Sequence, residues 1–575
     1  MSGWIPINGI LCVIVLFLAS FIQPSLAQNV LPGSAFPEQV GKALRQEQEQ
    51  RQPVISAPTI TPPPAEAAFG GEAAKKITFK LNAIRLVGNR TFTDAQLRPL
   101  YQQKLGKEIT VAELFEIVQA ITNYYRNNGY IISRAVLPPQ HVKNGVVAIQ
   151  IIEGFIGKVT VSGDPKGAKC LVQAFGEQIR RCRPLQIKRM EKYLLLANEI
   201  PGTQVRAVLS PSKTTTGAAD LTLVTQQQFI TGYLSYDNYG TRYIGPQQTT
   251  ANLGFNSLVT SGDFLQGTLV KTSRGKELTY IDVNYNAAVN DEGVRWLMGG
   301  TRVETRPGFV LEPLEISGLN SNYYSIFQFP YIRERSESLT FIAGFNYLDS
   351  KVTLLGEKLY IDHLRSLGAG LSYQFTDRYR GANIFYGDIR QGLPFLGYTN
   401  DTNPATAETS RPGGHADFTK VDLQISRLQT LTGPFSLFLM FKGQWAFSAL
   451  LASEQFAFGG SQLGRGYDVA EIIGDTGAAG TVELRWNVPV GKWSLQNLQL
   501  YTFYDIGAIW NYKTIPDIET KASGTSIGIG ARFYFTKYIS GNLTYTQTLT
   551  RPVGALEIIG RGRRPRTWFS LVAAL

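Results

Sequence analysis

The stretch Ser526-Ile527-Gly528-Ile529-Gly530-Ala531-Arg532-Phe533-Tyr534-Phe535 decides the fold. Ile527, Ile529, Ala531, Phe533 and Phe535 occupy every second position, against Ser526, Gly528, Gly530, Arg532 and Tyr534. Side chains of an extended strand point alternately to opposite faces, so one face here is apolar and the other is polar or bare. The same period of two recurs upstream. Ile281, Val283, Tyr285 and Ala287 alternate with Asp282, Asn284 and Asn286, and Leu367, Ala369, Leu371 and Tyr373 with Gly368, Gly370 and Ser372. Val482, Leu484, Trp486 and Val488 oppose Glu483, Arg485 and Asn487. From about Phe229 onward helical periodicity is gone.

Strands of about ten residues with one apolar face fit two architectures. A secreted sandwich or β-helix buries the apolar face, whereas a membrane barrel turns it to lipid and keeps a wet interior. Aromatic-rich strand ends favour the barrel. So does Arg566–Leu575, where Thr567, Phe569, Leu571, Ala573 and Leu575 line one face to the last residue. A barrel needs such a closing strand, because an unpaired edge cannot face lipid. About 350 residues, at about twenty per strand and connection, predict a transmembrane β-barrel of about sixteen antiparallel strands over residues 228–575.

The amino-terminal end reads as an export signal over residues 1–27. Ile10 to Ile22 is an apolar run, short for a membrane-spanning helix, and Ser25-Leu26-Ala27 supplies small residues for cleavage before Gln28. No Lys or Arg precedes the run, so the terminal amine is its only positive charge. Cleavage removes Cys12 and leaves Cys170 and Cys182, which an oxidising periplasm allows to pair. A structural disulfide between them is the expectation, with two free buried thiols as the alternative. Their spacing is not that of a zinc site, and no histidine lies near them.

Residues 28–76 form a polar prelude. Pro37 to Gln52 is rich in helix formers, but Val40, Ala43 and Leu44 give only a narrow apolar stripe, so the helix is expected to bury little. Pro53 to Ala65 contains five prolines and reads as an extended linker. Residues 77–153 then read as β-α-α-β-β. A strand covers Ile77–Gly88, helices cover Thr93–Lys104 and Val111–Asn127, and strands lie near Ile132–Leu137 and Val146–Ile152. The order repeats over residues 154–227, with strands at Ile156–Ser162, Gln204–Ser210 and Ala219–Thr225 around helices at Ala168–Arg181 and Leu185–Asn198.

Two β-α-α-β-β units ahead of such a barrel resemble POTRA domains. With the barrel, they resemble the transporters of two-partner secretion, of the haemolysin-activator and filamentous-haemagglutinin exporter type. That family is built of a plug helix, a linker, two POTRA domains and a sixteen-stranded barrel. The sharpest local match is Gly459-Gly460-Ser461-Gln462-Leu463-Gly464-Arg465-Gly466-Tyr467. It resembles the family's aliphatic-Arg-Gly-Tyr/Phe motif on a loop folded into the barrel, although Gly464 stands where the aliphatic residue usually lies. Phe503-Tyr504-Asp505-Ile506-Gly507 resembles the family's Phe-x-Asp-x-Gly strand motif. Asp237-Asn238-Tyr239-Gly240, with Arg242 and Gly245, is similar to its turn after the first barrel strand, though only weakly.

Beside the resemblance stands a physical case. Alternation puts Phe503, Asp505 and Gly507 on the lumen face, and a carboxylate there needs water or a cation. A guanidinium offers it a two-pronged match, and Gly464 and Gly466 let the backbone approach a wall closely. Arg465 and Asp505 are therefore expected to pair.

The formal charge of +12 invites a nucleic-acid reading, but Lys and Arg are spread along the chain with no basic stripe or stacking motif. Catalysis finds one string, Gly524-Thr525-Ser526-Ile527-Gly528, of G-x-S-x-G form. A nucleophile elbow leads into a helix, whereas this string enters an alternating strand, and His141, His363 and His415 all precede it. No enzyme, metal or cofactor is expected. The resemblance implies a monomeric outer-membrane pore with its POTRA domains in the periplasm. They would capture an unfolded exoprotein (adhesin, cytolysin or toxin) by adding its strand to an exposed edge, at Ile132–Leu137 or Gln204–Ser210. The alternative is an insertase that assembles other outer-membrane proteins.

Overall fold

The computed structural model describes residues 31–50, 60–61, 72–400, 408–490, 495–514 and 519–575; the expected export signal and most of the expected linker lie outside them. A closed antiparallel barrel of sixteen strands starts at Ile230–Asp237 and ends at Arg566–Ala574. These two strands pair from Tyr233 opposite Ala574 to Asp237 opposite Ser570, so the closing strand abolishes the edge. Along each wall strand the alternation sorts as the sequence predicts. Ile527 and Ile529 are 44 and 61 % exposed on the outside, whereas Ser526 between β-neighbours inside is fully buried. No helix among the described residues is long and apolar enough to cross a membrane.

Strand length departs from the expected ten residues on one side of the barrel. Ser317–Arg333, Glu337–Leu354 and Glu357–Thr376 run 17, 18 and 20 residues. At about 3.4 Å per residue they exceed what a tilted strand needs to cross the hydrocarbon layer. The α/β units join the barrel ahead of Ile230, which marks that end as periplasmic and makes the far ends of these strands an extracellular extension.

Two small units precede the barrel with one topology. In the first, Val146–Ile152 is central, parallel to Ala83–Val87 and antiparallel to Arg134–Val136. In the second, Ala218–Gln227 is central, parallel to Phe155–Asp164 and antiparallel to Thr203–Pro211. The repeat seen in the sequence is thus a repeat of strand pairing. The helix Val111–Asn127 forms as predicted because a capping box starts it: Thr110 Oγ1 accepts from the Glu113 amide at 3.1 Å, and Glu113 Oε2 accepts from the Thr110 amide at 2.9 Å. Its Leu114, Ile117, Val118, Ile121 and Tyr125 face the sheet.

Three local expectations change. The helix expected over Thr93–Lys104 shortens to Asp94–Leu97 followed by 3-10 turns, because Pro99 removes an amide donor. The strand expected over Ile77–Gly88 splits at the buried Leu81 into Thr78–Lys80 and Ala83–Val87. The Cys170–Cys182 disulfide is absent, and both thiols are free. Cys170 lies in the first turn of the helix Lys169–Arg180 and Cys182 just past its end. That helix rises about 1.5 Å per residue, so its length holds the two far beyond the roughly 4–7 Å between bridged Cα atoms.

The two predicted capture edges differ. Arg134–Val136 lies at a sheet margin, where among the described strands it pairs with Val146–Ile152. The outer side of Thr203–Pro211 is taken: Ile60 and Thr61, from the linker, pair with it in parallel opposite Ala207 and Val208. The chain supplies its own strand to that edge.

Candidate functional site

The lumen is filled by two segments that are not part of its wall. The first is the helix Pro37–Gln50. Contrary to the expectation of little burial, Leu31, Ala35, Phe36, Val40 and Leu44 enter one apolar cluster with Tyr243, Tyr280, Val303, Tyr360 and Ala452. Its polar side finds partners too. Glu38 accepts from Ser350 Oγ at 2.9 Å and Tyr360 Oη at 3.1 Å, and Arg45 lies 3.7 Å over the Tyr324 ring. Each of these partners is some three hundred residues away in the chain, which is why the narrow stripe misled. A cavity of about 680 Å³ remains between the helix and the opposite wall.

The second segment is the loop 447–475, between strands Phe435–Ala446 and Thr476–Val488. Counting strands from the periplasmic start makes it an extracellular loop, yet it folds inward. Phe456–Phe458 and Ile472–Gly474 pair as a short hairpin. Gly459 and Gly460 adopt φ of +123° and +114°, which lets the chain reverse below it.

At the loop's tip Arg465 meets the wall. The register aligns Thr481, Asp505, Ser526 and Thr548 on four successive strands, giving an inward row of small polar groups. Arg465 Nε and Nη2 donate to Asp505 Oδ2 and Oδ1 at 3.1 and 2.8 Å, the fork-to-carboxylate geometry. The Arg465 amide donates to Asp505 Oδ2 at 2.9 Å, and Nη2 also reaches Thr481 Oγ1 at 2.7 Å. Phe503 lies beneath the guanidinium, 3.4 Å from ring centroid to Cζ. Gly466 crosses the row so closely that a Cβ would stand 2.7 Å from Ser526 Cβ. Tyr467 is fully buried, and its hydroxyl donates to the Thr525 carbonyl at 3.1 Å. Gly464 takes a φ of +76° against Phe458, and Gly507 leaves room for that same ring. The structure thus brings together every residue of the two predicted motifs.

Sequence reading missed Glu483. Arg465 Nη1 donates to Glu483 Oε2 at 2.5 Å, and Arg485 and Arg532 donate to its Oε1 at 2.8 Å each. Three arginines, Arg465 buried and Arg485 and Arg532 half-buried, form one lattice on two buried carboxylates. Its signal was present in the inward set Glu483-x-Arg485, one strand from Asp505. Ser526 of the G-x-S-x-G string has a different task. Its Oγ accepts from the Gly466 amide at 3.2 Å and donates to Asp505 at 3.4 Å, so it braces the loop.

The two lumen segments also touch each other. Gln39 donates to the carbonyls of Ala452 and Gln455, Lys42 to the Gln455 carbonyl at 3.2 Å, and Ser461 Oγ to Glu47 at 2.6 Å.

Known proteins share this construction. The model for the POTRA domain, ShlB-type, matches residues 79–154. The Heme/hemopexin transporter protein HuxB of Haemophilus influenzae strain 86-028NP is 23% identical over 483 residues, 82% of this chain and 83% of that protein. The outer membrane transporter CdiB of Dickeya dadantii strain 3937 is 24% identical over 537 residues, 89% of this chain and 90% of its own. Among solved structures, CdiB from Escherichia coli matches with a TM-score of 0.72 at 18% identity, covering 96% of this chain and 100% of that one. BamA from Haemophilus ducreyi lacking POTRA domains 1–3 matches with a TM-score of 0.51 at 12% identity, a likeness of fold alone. The model of the haemolysin secretion/activation protein ShlB/FhaC/HecB covers residues 217–531, more than half the chain, and the chain belongs to that family of outer-membrane two-partner secretion transporters.

Proposed function

We propose that the chain exports one unfolded exoprotein, of adhesin, cytolysin or toxin kind, through a lumen that it holds shut with its own helix and loop, and that it does so as a monomer. The observation that carries this reading is the pair of lumen segments fastened to the wall through side chains. A passive pore has no use for two such fillers, and an enzyme would need a reactive group where Arg465 and Asp505 sit. Residues 154–227 serve as a second POTRA domain beside the one at 77–153, because both share one strand order. Arg134–Val136, a margin strand of its sheet among the described strands, offers an edge to cargo backbone, and alternate cargo side chains then read the adjoining surface. Folding outside the cell draws the chain forward.

Co-expression with a candidate exoprotein is the test. Deletion of residues 77–226 should abolish secretion while the barrel still inserts; continued secretion would refute capture by these domains. A chain that instead restores assembly of unrelated outer-membrane proteins would favour the insertase reading.

A further inference from the structure

The hairpin between the last two strands, residues 549–566, carries five arginines and one carboxylate, Glu557. Arg551 is committed to Glu519 at 2.9 Å. Arg561, Arg564 and Arg566 instead line a pocket of about 250 Å³, together with Arg242 from the turn after the first barrel strand. The pocket therefore straddles the seam where the first and last strands close the barrel, at the extracellular rim. Four arginines line one small volume. No carboxylate lines it.

The buried member is incompletely satisfied. The Arg566 side chain is 91 % buried and one nitrogen pairs with Asp468 Oδ1 at 2.6 Å, yet its Nη1 has no hydrogen-bond partner. Arg566 lines the pocket, so its charge adds to the pull on an anion bound there. Arg242 shows the same crowding. Desolvation, then the charges of Arg566 and Arg561, lower its pKa from the usual arginine value, and Asp468 only partly offsets them. Beside the pocket the hairpin exposes Ile558 and Ile559, and Thr567 belongs to the outward-facing set of its strand. Cations next to apolar side chains at a membrane rim match a headgroup that is anionic above and hydrocarbon below.

We propose that this seam pocket binds a phosphate of an outer-leaflet glycolipid headgroup, held by Arg242, Arg561 and Arg564, with Arg566 adding its charge from the inner side of the pocket. Tetrahedral phosphate oxygens suit several converging guanidinium forks better than a single carboxylate does. The bound lipid would also steady the lumen loop. Arg566 holds Asp468 of that loop, and Trp568, which lines the pocket, donates from Nε1 to the Arg465 carbonyl at 2.6 Å. The lipid leaflet and the Arg465 lock thus meet across two residues.

The experiment titrates the full chain in detergent with fluorescent lipopolysaccharide carrying intact lipid A phosphates. The triple variant Arg242→Gln, Arg561→Gln, Arg564→Gln should raise the dissociation constant about tenfold or more, the scale of a few lost charge-assisted bonds. Arg274→Gln, at an exposed arginine on the same rim, should bind as the parent does. Lipopolysaccharide stripped of its phosphates should bind the parent no better than intact lipid binds the triple variant. Equal binding by parent and triple variant overturns the proposal, as does indifference to the phosphates. Displacement by inorganic phosphate at the lipid's own concentration overturns the lipid as ligand and leaves a free-anion site. Heat-modifiable gel migration verifies that each barrel is closed. If the triple variant does not close, the single changes Arg561→Gln and Arg564→Gln, both on exposed hairpin residues, should each weaken binding severalfold, and parental affinity in both overturns the proposal.

Discussion

At the scale of single residues, the lock is a question of what fits between two carboxylates. Arg465 is nearly buried, and one guanidinium serves both Asp505 and Glu483 while its backbone amide binds Asp505 as well. Removing one member of such a buried set leaves the others uncompensated, at a cost of about 3–5 kcal/mol. Arg465→Ala and Asp505→Ala should each lower secretion of the partner severalfold or more while heat-modifiable migration shows an intact barrel; full secretion by both would remove the role of the pair. Arg465→Lys should restore little, since an ammonium supplies no fork and no plane to stack on Phe503. Ser526→Ala loses about 0.5–1.5 kcal/mol of loop bracing. It should therefore secrete at close to the parental rate, and a loss of ester hydrolysis in the same variant would instead reveal a nucleophile. Arg465 and Asp505 were legible because a glycine-flanked arginine and a lumen-facing carboxylate each carry a local pattern. Glu483 left only half a signal, the Glu483-x-Arg485 set, because the register that puts it opposite Phe503, two residues from Asp505, exists only after the barrel has closed.

At the scale of elements, helices and strands were legible where both of their ends are written in local residues. Val111–Asn127 has its capping box and its Asn-Gly stop, and forms as read. The plug helix has ends but no local record of what it packs on. Gly41 illustrates the fit: a Cβ there would stand 2.8 Å from Val303 Cγ2 on the wall. Gly41→Leu should therefore eject the helix and raise the single-channel conductance in planar bilayers, as deletion of residues 31–50 should. Conductance unchanged in both would mean that the helix does not close the pore. The linker strand is a second element that composition hid, since a proline-rich stretch gave no reason to expect sheet pairing. Ile60 and Thr61 hold the Thr203–Pro211 edge with only a short parallel pairing, a weak occupant that a longer cargo strand can outcompete. The double change Ile60→Pro, Thr61→Pro leaves neither residue of that strand an amide donor and should raise the affinity for an unfolded amino-terminal segment of the exoprotein several-fold. Unaltered affinity would place cargo at Arg134–Val136 alone.

At the scale of the whole molecule, capture in the periplasm has to be aimed at the lumen, and the second α/β unit is bolted to the barrel for that purpose. Its Gln178 donates to Asp291 at 2.7 Å, its Tyr193 hydroxyl donates to Glu292 at 2.7 Å, and Lys192 adds an ion pair to the same carboxylate at 3.1 Å. Lys188 reaches Glu334 at 3.1 Å, Arg333 pairs with Glu199, and Leu171 and Gly167 bind Ser261 through backbone groups. These barrel partners sit in periplasmic turns or, for Arg333, at the periplasmic end of its strand. Desolvation would raise the Glu292 pKa, but the hydrogen bonds from Tyr193 and Lys192 outweigh it and carry the carboxyl below its ordinary value. A carboxylate depressed in the docked state contributes docking energy above its free pKa of about 4.3 and loses it as pH falls through the depressed value. The unit should therefore be held firmly at neutral pH and loosen below about pH 4. Spin labels on the helix Lys169–Arg180 and on an outward barrel residue should give a narrow distance distribution at pH 7 and a broad one at pH 3.5. Glu292→Gln should broaden the distribution at pH 7 and reduce the further change on acidification. A distribution that stays narrow throughout would assign the fixation to the backbone contacts at Ser261, and the aim of the capture domain would then be independent of pH.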